Sequence, residues 1–143
     1  MADLFHKLPI KAPPENVFQA MTTPTGLDSW WTKTSEGKPS PGEIYRFSFG
    51  PEYHWKAIVT KSIPDREWEW TFIDSDADWN GSKVGFSLSR KDGLTWINFY
   101  HMDWREDNEH FRISNYCWAM YLRILKRYLE YGEEVAYEDR LEV

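Results

Sequence analysis

From Tyr45 to His101 the chain is written in two-residue steps. Tyr45, Phe47 and Phe49 alternate with Arg46 and Ser48, and Trp55, Ala57 and Val59 alternate with Lys56, Ile58 and Thr60. Trp68, Trp70 and Phe72 follow with Glu69 and Thr71 between them. Val84, Phe86 and Leu88 come next, then Ile97, Phe99 and His101. Successive side chains of a strand point to opposite faces, so this pattern predicts antiparallel strands with one apolar face. Pro64-Asp65, Asn80-Gly81 and Asp92-Gly93 fall at the joints, where turn dipeptides belong. The period then changes. Trp118, Tyr121, Leu122, Leu125 and Leu129 recur at helical spacing, with Arg123, Lys126, Arg127 and Glu130 on the other side. Cys117, Met120 and Ile124 widen the apolar stripe, and Gly132 is a natural stop.

The N-terminal segment adds three shorter elements. Leu4, Leu8 and Ile10 predict a strand that ends at Pro13-Pro14. Pro14 and Glu15 suit a helix start, and Val17, Phe18, Ala20 and Met21 supply its apolar side. A second short helix is expected from about Thr25 to Trp31. The run Lys38-Pro39-Ser40-Pro41-Gly42 predicts a loop, and Asp103 to Asn108 a polar link into the long helix. The expected fold is α+β: a curved antiparallel sheet of about six strands wrapped around a long C-terminal helix, with two short helices after the first strand. Residues 1–132 form the domain, and the acidic run 133–143 reads as a loosely held tail.

Composition sharpens this picture. Nine tryptophans in 143 residues, and aromatics at 17%, are far more ring than a small core needs. Each indole also carries an N–H that requires a partner when buried. Such an interior fits either a ligand cavity or a bulky packed core. A net charge of −6 argues against nucleic acid, whose phosphates require clustered Lys and Arg. No stretch approaches the roughly 18 apolar residues of a membrane span. Cys117 is the sole cysteine, and the first residues lack a secretory pattern, so a reducing, cytoplasmic setting is expected.

Five segments, in order, resemble the START-like helix-grip superfamily, and within it the branch of the C-terminal domain of the activator of heat-shock-protein-90 ATPase. They are Ala12–Ala20, Leu27-Asp28-Ser29-Trp30-Trp31, Trp79-Asn80-Gly81-Ser82, Thr95–His101 and Trp118–Glu130. The resemblance implies a hydrophobic cavity between sheet and terminal helix. It also raises a chaperone as a possible partner, although 143 residues leave no room for the first domain of those activators.

The expected guest is a small apolar or aromatic molecule lined by Trp30, Tyr45, Trp70, Phe72, Phe86, Phe99, His101, Trp118 and Tyr121. His101 shares the inward parity of Ile97 and Phe99, so it could orient a ligand, serve as acid or base, or simply fix the fold. The Trp30-Trp31 pair could form a lid or belong to the core. No nucleophile elbow, phosphate loop or dinucleotide fingerprint is present, and neither a catalytic residue nor a cofactor is assigned. Asp74, Asp76 and Asp78 mimic half a calcium loop, but Trp79 and Gly85 stand where that loop needs glycine and a carboxylate. His101, Asp103, Glu109 and His110 lack the spacing of a structural zinc site, so no metal is expected.

Overall fold

The computed structural model describes all residues from Met1 to Val143. Seven strands form one antiparallel, unclosed sheet: β1 (Ala2–Ile10), β2 (Thr34–Glu36), β3 (Ile44–Ser48), β4 (His54–Ile63), β5 (Glu67–Asp74), β6 (Lys83–Lys91) and β7 (Leu94–Trp104). Their order across the sheet is β1-β7-β6-β5-β4-β3-β2, a meander closed on one side by the first strand. The helices are α1 (Pro14–Thr22), α2 (Pro24–Leu27) and α3 (Glu109–Tyr131). A 3-10 segment, Tyr137–Glu142, follows α3.

Local chemistry explains the helix limits. Pro14 opens α1, and its missing N–H costs nothing in a first turn. The Asn108 side chain accepts from the Phe111 N–H at 2.9 Å and caps α3. Gly132 ends α3 at φ 69°, a left-handed conformation that glycine enters without strain. Gly26 in α2 lets that helix touch α1: a Cβ there would lie 2.6 Å from the Ala20 Cα. The second helix is therefore shorter than the expected Thr25–Trp31, and residues 28–31 form a turn that returns Trp30 and Trp31 to the core.

The predicted inward faces hold. Tyr45, Phe47, Ala57, Val59, Trp68, Trp70, Phe72, Val84, Phe86, Ile97, Phe99 and His101 are all buried. They form one apolar face, covered by α1 through Phe18 and by α3 through its Trp118, Leu122 and Leu125 stripe. The seventh strand, β2, is too short and polar to carry a period, and pairing with β3 alone places it.

The C-terminal half departs from the expected pattern in two places. Trp104, expected in a polar link, ends β7 and is fully buried. The β1–β7 pairing gains a residue between Leu4↔His101 and Ala2↔Trp104, and Asp103 there has φ 65°. That bulge reverses the parity and turns Trp104 inward. The acidic run after Gly132 is mostly exposed but touches the body through Val135, Tyr137 and Arg140, the last only 4% exposed.

Candidate functional site

The space between sheet and α3 is occupied by the protein's own rings. Trp31 lies 5.1 Å from Trp118, 5.0 Å from Phe47 and 6.0 Å from Trp70, centroid to centroid. Trp79 stacks on Trp118 at 6.0 Å and 24°, and meets His101 edge-on at 4.5 Å. Phe99 packs on Trp118 at 4.7 Å. What remains is a small opening of about 40 Å³ between Trp31, Trp79, Ser114, Cys117, Trp118 and Tyr121. An apolar cavity that takes a benzene is roughly 150 Å³, so this opening holds a water or two and no aromatic guest. Larger depressions, about 330 and 470 Å³, lie elsewhere. One follows the β2–β4 edge and the other the corner between α1, α2 and the end of α3, and both are lined mainly by polar side chains.

His101 sits at the centre of a polar chain whose proton positions follow from its partners. The Trp118 indole can only donate, and it gives its N–H to His101 Nδ1 at 3.1 Å. Nδ1 is therefore the bare nitrogen, and Nε2 carries the proton toward Ser82 Oγ at 2.8 Å. Ser82 in turn donates to the Trp79 carbonyl at 2.6 Å. Burial of the imidazole lowers its pKa to about 3, with a smaller push from His110, so the ring is neutral. Both nitrogens thus serve the protein, tying the turn that holds Trp79 to β7 and α3. A role in acid–base chemistry or in orienting a guest would require breaking one of these bonds.

The other expected lining residues divide. Trp70, Phe72, Phe99, Trp118 and Tyr121 lie in the ring-filled seam. Burial pushes the Tyr121 phenol up to about 12, so it stays protonated. Tyr45 spans from the seam to α1, its hydroxyl donating to the Thr22 carbonyl at 2.5 Å. Phe86 packs edge-on against Phe18 of α1, beneath that helix. Trp30 is anchored away from the opening by a 2.8 Å bond from its N–H to the Ala20 carbonyl, and its neighbour Trp31 forms the wall. Trp31, Trp79, Ser114 and Cys117 line the opening without belonging to the expected set, and Ser82 and Trp104 flank His101 behind it. The Trp79-Asn80-Gly81-Ser82 segment, which follows the β5 run at a tight turn, is the sequence signal for Trp79 and Ser82.

His110 meets neither His101 nor Asp103. Its Nδ1 lies 2.9 Å from Asp78 and 3.6 Å from Asp76, which holds the β5–β6 turn to the start of α3. All three offer ligand atoms within 4.8 Å of one another. Carboxylates at a helix start are stabilised by its positive end, and the His110 hydrogen bond holds the Asp78 carboxyl below its ordinary range.

Four indole N–H groups in the core, those of Trp68, Trp70, Trp79 and Trp104, find no acceptor among protein groups. A buried donor left without any partner costs about 1–3 kcal/mol.

A curved antiparallel sheet gripping a long terminal helix, with small helices after the first strand, defines a START-like helix-grip domain. Residues 11–130 match the family described as activator of Hsp90 ATPase homolog 1-like protein, and the chain belongs to it. The Aha1 dimer from Colwellia psychrerythraea is 32% identical over 93% of this chain and 99% of its own, with a TM-score of 0.84. SSP2350 from Staphylococcus saprophyticus shares the fold at 18% identity, 94% and 96% coverage and a TM-score of 0.79. CalU16 from Micromonospora echinospora does so at 17% identity, 98% and 83% coverage and 0.72. No curated protein matches the chain. No helix is long and apolar enough to cross a membrane.

Proposed function

We propose that this chain binds a small aromatic or apolar molecule between the sheet and α3, in a space that its own rings fill when no guest is present. The supporting observation is the surplus of indole donors. Trp70 and Trp79 stand in the seam, and their N–H groups lack acceptors. An aromatic guest carrying a carbonyl or hydroxyl oxygen would satisfy them while burying its own apolar surface. Admission requires Trp31, Trp79 or Tyr121 to move, since about 40 Å³ is far below the size of such a guest. The reaction chemistry of the interior is minimal, with His101 committed on both sides, so the activity proposed is binding in a cytoplasmic protein.

The test is a thermal-shift screen of aromatic ketones and phenols against aliphatic molecules of equal size, followed by Trp fluorescence. At one hundred times its Kd, a guest adds about 2.7 kcal/mol of stability. Stabilisation by the oxygen-bearing aromatics alone supports the reading, and no shift with any class overturns it.

A second reading is favoured by a different observation, the family match together with a closed interior that leaves only the surface for recognition. In it the domain is a module that engages a 90-kDa heat-shock chaperone. Stimulation of that chaperone's ATPase, undiminished by Trp31→Phe or Tyr121→Phe, would favour the surface over the seam.

A further inference from the structure

Residues 133–143 leave α3 at Gly132 and return across the turn that carries Trp31. Arg140 anchors this strap. Its guanidinium donates to the carbonyls of Asp28 at 2.6 Å, Thr32 at 3.0 Å and Val135 at 3.1 Å. The first two bracket Trp30 and Trp31, and the third belongs to the strap itself. Tyr137 lies against Arg140, 5.4 Å from ring to guanidinium, and its hydroxyl donates to the Phe49 carbonyl at 2.9 Å. The Phe49 ring is 5.4 Å from Trp31. The strap therefore grips the Trp31 wall of the opening twice, once behind its backbone and once through Phe49. Because it continues directly from α3, it also fixes the distance between that wall and the helix bearing Cys117, Trp118 and Tyr121.

Arg140 is almost wholly removed from solvent, and its three charge-assisted bonds go to carbonyls, with the Asp28 and Glu138 carboxylates nearby, so the hold of the strap is concentrated in this one side chain and in Tyr137.

We infer that residues 133–143 are a clasp that keeps the Trp31 wall shut, and that release of Arg140 and Tyr137 exposes the ring-filled seam. The inference rests on the ligand-binding reading for its purpose, though not for the motion itself. A closed majority state weakens apparent affinity by the fraction of molecules that are open, so loosening the clasp raises affinity without touching the seam.

The experiment uses the full chain, with 1-acetonaphthone as aromatic ketone probe and acrylamide as a quencher of Trp fluorescence. Arg140→Gln is expected to increase acrylamide quenching and to tighten probe binding about ten-fold, with far-UV circular dichroism and cooperative unfolding retained. Tyr137→Phe removes one bond and is expected to shift both readouts the same way by about two- to three-fold. Unchanged quenching in folded Arg140→Gln overturns the clasp. If that variant fails to fold, Tyr137→Phe decides: unchanged quenching there overturns it equally. Quenching that rises while neither protein binds the probe upholds the clasp and removes the ligand-binding reading.

Discussion

Ser82, His101 and Trp118 show how single atoms set the character of this interior. One indole that can only donate fixes a histidine tautomer, and the histidine fixes a serine rotamer that closes on the Trp79 carbonyl. Ser82→Ala leaves the Nε2 proton of His101 without an acceptor, and a loss of about 1–3 kcal/mol is expected in urea unfolding. The same chain sets a pH dependence. His101 titrates at about 3 in the folded protein and near 6.5 when unfolded. Above pH 6.5 both states are neutral and its contribution is fully present. As pH falls below 6.5 the unfolded chain takes up a proton that the folded one refuses, and stability drops by up to about 1.4 kcal/mol per pH unit. Between pH 6.5 and 5, where carboxylates contribute little, the urea midpoint of the native protein should fall and that of a folded His101→Gln variant should stay level. Equal slopes would mean that the imidazole is charged inside the fold.

At the scale of elements, strands and helices were legible wherever a period ran unbroken. Trp68, Trp70 and Phe72 needed only parity to be placed inward, and the α3 stripe needed only its helical spacing. Trp104 was not legible, because one bulged residue at Asp103 inverts the parity that every upstream position obeys. Trp79 was hidden differently: it lies in a turn, where no period exists, and its burial depends on the partners Ser82, His101 and Trp118. The charge of the strap misleads. Glu133, Glu134, Glu138 and Asp139 are a solvated run, while the residues that pin it, Tyr137 and Arg140, bond to carbonyls far away in sequence. Capping follows rules visible in sequence and gives a plain expectation. Asn108→Ala removes the bond to the Phe111 N–H at the head of α3 and should cost about 1 kcal/mol by thermal or urea unfolding.

For the whole molecule, the fold and the family are established, and the question is what the aromatic seam is for. A core built only to be stable has little use for indoles whose N–H groups are buried without acceptors. A seam that opens for a guest has a use for them, since the same groups stabilise the occupied form. The sequence located most of the seam but could not say whether it was empty or filled, because that depends on how Trp31, Trp79 and Trp118 stack across three separate segments. The most direct measurement is the set of indole N–H resonances in a proton–nitrogen spectrum, followed as 1-acetonaphthone is added. Binding in the seam predicts saturable shifts at Trp70 and Trp79, whose N–H groups have no protein acceptor, and smaller ones at Trp30, whose N–H is bonded to the Ala20 carbonyl away from the opening. Resonances of Trp70 and Trp79 that do not move up to the solubility limit of the probe would contradict it.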